Sequence, residues 1–175
     1  MSHASDVLLF PDAGPLITLA YANALDLLLK PGWTLAMVDM VLLEVTRNQT
    51  PTSDTIKRWI DHRRVSIRRT RICEQHLNDL KRSAQPSKSN LGELASQEIM
   101  NGLALLRPPQ PCVFLFEDHK IARASFLLPD HCTKVSTRAF LIYLEEQGWI
   151  DSDVRIERQA INAGRTFSSL RFPPA

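Results

Sequence analysis

The stretch VLLFPDAGPLITLA, residues 7–20, places an apolar run, an acid and a helix start in immediate succession. Val7–Phe10 is short and apolar, which is typical of a buried strand. Gly14 and Pro15 predict the N-cap and the first residue of a helix, because proline is tolerated where backbone N–H groups lack helical partners. Asp12 lies between the two elements, and a carboxylate at such a position requires an explanation.

The alternation of short apolar strands with helices continues along the chain. Further strands are predicted at Trp33–Val38, within Arg63–Arg69, at Cys112–Phe116 and at Thr133–Val135. Helices are predicted over residues 16–28, 40–48, 55–62, 74–83, 91–106, 120–126, 137–147 and 153–163. This order predicts an α/β fold with a parallel sheet of about five strands and helices on both faces. Ligands of such sheets bind outside the carboxyl ends of the strands.

Length and composition indicate one globular domain. The chain has 175 residues, of which 44% are hydrophobic and 23% charged. No apolar run reaches the ~18 residues that a membrane span needs. Pro11, Asp12 and Gly14 interrupt the N-terminal apolar stretch, so we expect no signal peptide and a cytoplasmic protein. The predicted sheet domain covers residues 1–150, and residues 151–175 form a C-terminal helix and an extended tail.

The three cysteines, Cys73, Cys112 and Cys132, are widely spaced and odd in number. This spacing argues against a disulfide framework and against a zinc knuckle. We therefore expect buried or inert thiols.

Four carboxylates fall at comparable places in successive strand–helix units. Asp12 and Asp118 each follow a predicted strand, whereas Glu44 and Glu93 lie on helices. The carboxyl ends of parallel strands share one edge of the sheet, so these acids can approach one another. Clustered carboxylates repel, and a divalent cation removes that conflict. Mg²⁺ or Mn²⁺ suits such oxygen ligands and can activate water for attack on a phosphodiester.

The segments that carry these acids resemble the PIN domain family. They are FPDAGPLITLA, VDMVLLEVTR, LGELASQEI and FLFEDHKIARA, in the family's order, within residues 7–147. The resemblance implies a Rossmann-like sheet and a ribonuclease in which Asp12, Glu44, Glu93 and Asp118 bind Mg²⁺ or Mn²⁺. Water held by the metal would cut RNA and leave a 5′-phosphate. Many bacterial members are VapC-type toxins, so the resemblance also implies a small antitoxin partner and a homodimer.

Two positions depart from the family pattern. Gly14 stands where many relatives carry Ser or Thr, so a hydroxyl near the metal is absent. Glu93 stands where many toxins have Asp, and Glu98 is an alternative ligand about 140° around the helix. We favour Glu93 because it lies nearer the helix start. Glu117, next to Asp118, is expected either to support that residue or to face solvent.

Basic residues are concentrated between Lys57 and Arg71, where Asp61 is the one acid. The candidates for contacts with RNA phosphates are Arg63, Arg64, Arg68 and Arg69. Two alternatives explain the same basic residues. They can simply face solvent, or they can bind an acidic segment of an antitoxin. Arg123, five residues after Asp118, is expected to brace the carboxylates or to contact a phosphate.

Each acid also has a purely structural interpretation. Asp12 can form a turn or cap the following helix. Glu44 can pair with Arg47 on its own helix. Asn90 and Glu93 have the spacing of a capping box, in which each side chain bonds the backbone N–H of the other residue.

Two other functions compete with the ribonuclease. The first is a PIN-like module that binds RNA or protein without cutting, since carboxylates misplaced by about an ångström do not catalyse. The second, less favoured, is a metal-dependent phosphatase with Asp12 as nucleophile. It would want a D-x-D spacing, which Gly14 does not provide.

Overall fold

The structure, a computed structural model, describes residues 5–82, 90–117 and 127–166. The predicted helix over residues 120–126, the predicted ligand Asp118 and the predicted phosphate contact Arg123 lie outside these ranges, as does the tail from residue 167. Within the described residues, the structure contains no helix with the length and apolar character that crossing a bilayer requires.

Five strands form one sheet, and every neighbouring pair is parallel. They are β1 (Ser5–Pro11), β2 (Trp33–Val38), β3 (Ser66–Arg68), β4 (Cys112–Phe116) and β5 (Cys132–Ser136). Their order across the sheet is β3-β2-β1-β4-β5. This arrangement confirms the predicted α/β, Rossmann-like architecture.

The centre of the sheet is covered on both faces. Successive side chains of a strand point to opposite faces, and Leu8, Leu9 and Phe10 of β1 are each 2% exposed or less. Burying a side chain of this size contributes about 1.5–3 kcal/mol, so the central strands hold the core together. All three residues of β3 are exposed, as befits a short edge strand.

The α-helices in the described part of the chain are α1 (Ala13–Tyr21), α2 (Asp39–Thr46), α3 (Ser53–Arg63), α4 (Arg71–Arg82), α5 (Leu91–Ala104), α6 (Thr137–Glu146) and α7 (Asp153–Asn162). A short 3-10 helix covers Leu25–Leu29. Their ends follow the predicted ones within a few residues, apart from the first helix.

The first helix differs from the prediction at both ends. Asp12, and not Gly14, occupies the N-cap position, so Gly14 and Pro15 lie in the first turn. Proline fits there because the N–H it lacks has no partner in a first turn. The helix ends at Tyr21 because Asn23 has a φ of +52°, a left-handed conformation that α-helices exclude.

The strand order creates a switch point between β1 and β4. From β1 the chain proceeds to β2 and β3 on one side, whereas from β4 it proceeds to β5 on the other. The carboxyl ends of β1 and β4 therefore border the crevice where parallel sheets bind ligands. Asp12 follows β1 directly, and Glu117 follows β4.

Candidate active site at the carboxyl edge of the sheet

Asp12 lies where the sequence predicts it, at the carboxyl end of β1. Its backbone N–H donates to the Leu115 carbonyl over 2.8 Å, which fixes it beside β4. The residue occupies the N-cap position of α1 with φ −77° and ψ 174°, yet its side chain makes no capping hydrogen bond. The half-buried carboxylate is thus not explained as a helix cap.

Glu117 is a buried residue of this edge whose role the sequence left open. It is 7% exposed, and its Oε2 accepts hydrogen bonds from Thr18 Oγ1 and from the Arg165 guanidinium, each over 2.8 Å. Arg165 Nε also donates to Thr18 Oγ1 over 2.9 Å. These three side chains form a closed network that joins the end of β4, helix α1 and the segment after α7.

Gly14 is explained by the same network. A Cβ at this position would lie 2.8 Å from the Cβ of Glu117, closer than real Cβ contacts come, and 3.2 Å from its Oε2. The space that a Ser or Thr side chain would fill at position 14 is therefore occupied by Glu117. Glycine at position 14 permits a second acid to pack against the first turn of α1.

Glu44 makes its hydrogen bond to another helix. Its Oε1 accepts from the backbone N–H of Gly92, in the first turn of α5, over 3.1 Å. Burial raises the pKa of this carboxyl, while the Gly92 N–H and, more weakly, the Arg47 and His76 charges act in the opposite direction. Glu44 therefore satisfies a helix N-terminus, where N–H groups and the helix dipole favour a negative charge.

The start of α5 is built around that contact. A Cβ on Gly92 would lie 2.7 Å from Glu44 Oε2, so only glycine permits the approach. Asn90 holds the N-cap position with a φ of +72° and no side-chain capping bond, so the predicted capping box does not form through Asn90. Glu93, half-buried, follows Gly92 directly and is thereby brought next to the helix that carries Glu44.

Glu98 is engaged elsewhere. Its carboxylate accepts from the backbone N–H groups of Arg71, over 3.0 Å, and of Ile72, over 3.3 Å. These are the first two residues of α4, so Glu98 stabilises the N-terminus of that helix. This contact accounts for Glu98 and favours Glu93 as the acid that α5 contributes to the edge.

Asp39, which directly follows β2, is a further acid at this edge and is not among the four predicted ligands. The structure starts α2 at Asp39 itself, and the carboxylate accepts 2.8 Å hydrogen bonds from the backbone N–H and the hydroxyl of Thr70. It thereby ties β2 to the segment between β3 and α4. Its position directly after an apolar strand, like that of Asp12, is a signal that sequence analysis can use.

The structure does not bring the three described members of the predicted metal site into a metal-binding group. The carboxylates of Asp12, Glu44 and Glu93 suit a hard divalent cation by their chemistry. Across residues 5–82, 90–117 and 127–166, however, no three His, Cys, Asp or Glu side chains form a group that could hold a metal ion. Asp12, Glu44 and Glu93 therefore do not form a metal site by themselves, and the fourth predicted ligand, Asp118, lies outside those ranges.

The basic residues near β3 differ in their surroundings. Arg63 forms two hydrogen bonds with Asp26, of 3.1 and 2.7 Å, and the Trp59 indole donates to the same carboxylate over 2.8 Å. The Trp59 and Arg63 hydrogen bonds lower the pKa of Asp26. The other residues predicted to contact RNA phosphates in this region are exposed, namely Arg64, Arg68 and Arg69.

Helix α7 adds a buried acid close to Glu117. Glu157 is 6% exposed, and its Oε1 has no hydrogen-bond partner in the described structure. Burial raises its pKa, the Arg138 charge opposes that rise, and the charges of Asp153 and Glu117 reinforce it. Ionised Glu157 is therefore a source of instability, for which the weak periodicity of this region gave no signal.

Replacing Gly92 with Ala tests the Glu44 contact. The new Cβ would displace the Glu44 carboxylate and leave a helix N–H unsatisfied, which costs about 1–3 kcal/mol. Alanine in a helix offsets about 0.5–1 kcal/mol of that cost, so we expect a net loss of up to about 2 kcal/mol in the free energy of unfolding, measured in urea. Gly102→Ala is the matched control on the same helix, because a Cβ there meets nothing within 4 Å. It should be neutral or stabilising by up to about 1 kcal/mol, and equal losses in both variants would contradict the contact.

Replacing Arg165 with Ala tests the network around Glu117. The buried Glu117 carboxylate would lose the Arg165 guanidinium, so the free energy of unfolding, measured in urea, should fall by about 3 kcal/mol. The control is Arg155→Ala, whose 3.6 Å pair with Asp151 is exposed on both sides and should contribute at most about 0.5 kcal/mol. Similar small losses in the two variants would show that the network does not stabilise the fold.

The buried Glu157 carboxylate predicts a particular pH dependence. Its folded-state pKa exceeds its ordinary value of 4.5, so the folded protein binds this proton more tightly than the unfolded chain. The free energy of unfolding should therefore fall as pH rises from 4.5 through the folded pKa. Glu157→Gln should raise stability by about 1 kcal/mol at pH ~8 and by less near pH ~4.

The control for this titration is Glu146→Gln, which alters an exposed glutamate on the preceding helix. Urea unfolding of both variants and the wild type across that pH range measures the effect. A stability difference for Glu157→Gln that does not change with pH would contradict the prediction.

No protein-family model, curated protein or solved structure matches this chain with significant similarity. The PIN resemblance thus rests on the quoted motifs, of which the Asp12, Glu44 and Glu93 segments lie in the described structure. Membership of that family, and the activity it implies, are therefore matters of proposal.

Proposed function

We propose that the protein is a PIN-like, divalent-metal-dependent ribonuclease that cleaves RNA phosphodiester bonds with metal-activated water. The observation that carries this proposal is the position of Asp12, at the carboxyl end of β1 beside β4. An acid at the switch point of a parallel sheet is placed for ligand chemistry. Asp118 follows the neighbouring strand by two residues in sequence.

The second support is the pairing of α2 with the start of α5. The Glu44–Gly92 hydrogen bond brings Glu44 next to the turn that carries Glu93. Asp12, Glu44, Glu93 and Asp118 are the residues that would hold Mg²⁺ or Mn²⁺. Burial raises the pKa of Glu44, and a nearby cation would favour its ionised form.

When bound, the metal would lower the pKa of a coordinated water and stabilise charge on the phosphate under attack. The chain itself would orient the strand that leads to Asp118 through Glu117, which Thr18 and Arg165 hold rigidly. The exposed guanidinium groups of Arg64, Arg68 and Arg69 would contact RNA phosphates. Arg63 is held by Asp26 and would contribute less.

The same proposal extends to the partners that the resemblance to VapC-type toxins implies. We infer that a small antitoxin protein controls the activity and that the ribonuclease acts as a homodimer.

One observation favours a second candidate, a module that binds a protein without cutting RNA. A groove of about 590 Å³ lies between α2, β3 and α4. Its lining includes Leu42, Leu43, Ile67 and Leu77, with Arg69 among its polar residues. Ile67 and Leu77 are 46% and 41% exposed, and exposed apolar side chains around a groove often mark partner sites.

Cleavage of labelled single-stranded RNA in Mn²⁺ tests the ribonuclease. The wild type should produce fragments with 5′-phosphates, and EDTA should abolish cleavage. Asp12→Asn and Glu93→Gln should each lower the rate about 100-fold or more, because a catalytic metal contributes several kcal/mol to transition-state stabilisation. Asp54→Asn, on the exposed start of α3, is the matched control and should retain full activity.

The outcomes separate the alternatives. If the protein binds RNA without cleaving it, and unfolds cooperatively and so is folded, the result would support the binding module. Release of phosphate from a small ester, with the RNA intact, would instead indicate a phosphatase. Cleavage that persists unchanged in Asp12→Asn would show that the activity does not come from this edge.

A further inference from the structure

Three sulfur atoms from three different elements meet at the opposite, amino edge of the sheet. Cys112 begins β4 and Cys132 begins β5, and the two residues are register partners in the parallel ladder. The Cys132 thiol also lies 3.4 Å from the thioether sulfur of Met100 on α5. Both cysteines are free, so two thiols and a thioether converge in one place.

The two thiols lie on one face of the sheet. Register partners on parallel strands point to the same face, so the Cys112 and Cys132 side chains leave the sheet side by side. Met100 of α5 contacts Cys132 on that face, so the three sulfurs share one layer of the core.

We propose that Cys112, Cys132 and Met100 form a binding site for a soft monovalent cation, Cu(I). Thiolate and thioether sulfurs are the ligands that select Cu(I) over hard cations. The site lies at the other end of the strands from Asp12 and does not depend on the proposed ribonuclease activity.

The separation of the Cys132 and Met100 sulfurs is close to that of two ligands of a three-coordinate ion. Metal–sulfur bonds of about 2.3 Å in a trigonal plane would separate the sulfurs by about 4 Å. The contact between Cys132 and Met100, now 3.4 Å, would open by roughly half an ångström. Met100 can supply that movement because its side chain is unbranched and adaptable.

Ligand type and number also favour a soft monovalent ion over zinc. Each thiolate ligand forms by loss of a proton to solvent, and the oxidation state of copper does not change. Structural zinc sites use four N, S or O ligands, whereas the described residues contain no group of three His, Cys, Asp or Glu able to hold a metal.

The proposed site lies close to the protein surface. Cys112 is 2% exposed and Cys132 9% exposed, yet Pro111, which immediately precedes Cys112, is exposed. Cys73 provides the natural comparison, since it is a buried thiol on α4. It lies outside the β4–β5 ladder that pairs the other two cysteines, so a change at Cys73 leaves the proposed ligands intact.

Competition with the chelator bicinchoninate tests the site on the full-length protein, anaerobically and with ascorbate. The wild type should remove one equivalent of Cu(I), seen as loss of the chelator complex's colour and as one added copper in native mass spectra. Cys112→Ser and Cys132→Ser should each lose that equivalent. Met100→Leu, which preserves volume, should weaken binding about tenfold or more. Cys73→Ser is the matched control and should bind as the wild type does.

A second readout uses the wild type alone and so does not depend on whether the variants fold. With Cu(I) bound, alkylation by iodoacetamide in mild denaturant should spare Cys112 and Cys132 while leaving the rate at Cys73 unchanged. The proposal is overturned if the wild type leaves the copper with the chelator, if Cys73→Ser removes the equivalent, or if copper protects all three thiols alike.

Discussion

The arrangement of the helices depends on carboxylates that accept hydrogen bonds from the N-terminus of a neighbouring helix. Glu44 bonds the Gly92 N–H, Glu98 bonds the Arg71 N–H, and Glu145 bonds the Asp153 N–H. The first N–H groups of a helix have no partner within it, and the helix dipole makes that end positive. One acid on a neighbouring element therefore fixes where each of these helices begins.

This constraint gives some acids two roles. The Glu44 contact requires glycine at position 92, and the same contact brings Glu44 next to the turn that holds Glu93. Likewise, Glu117 requires Gly14 and secures the end of β4 immediately before Asp118. Gly14, one of the two departures from the PIN pattern, is thus explained by packing, and the carboxyl edge has this hydrogen-bonded frame without a metal.

Sequence patterns predicted the sheet well because they depend on local properties. The apolar runs Trp33–Val38 and Cys112–Phe116 coincide with β2 and β4, and Asp12 was placed at the end of its strand. The break at Asn23 was missed because a left-handed residue leaves the apolar periodicity intact. The network around Glu117 could not be predicted either, since Thr18 and Arg165 are 99 and 48 residues away from it.

That separation has a consequence for biosynthesis. Thr18 and Arg165 are 147 residues apart, so the crevice between β1 and β4 acquires its guanidinium only after α7 has left the ribosome. Until then, the nascent chain carries an acid at position 117 that cannot be buried without penalty. The edge proposed to cut RNA therefore cannot complete its hydrogen-bond network until residue 165 has been synthesised.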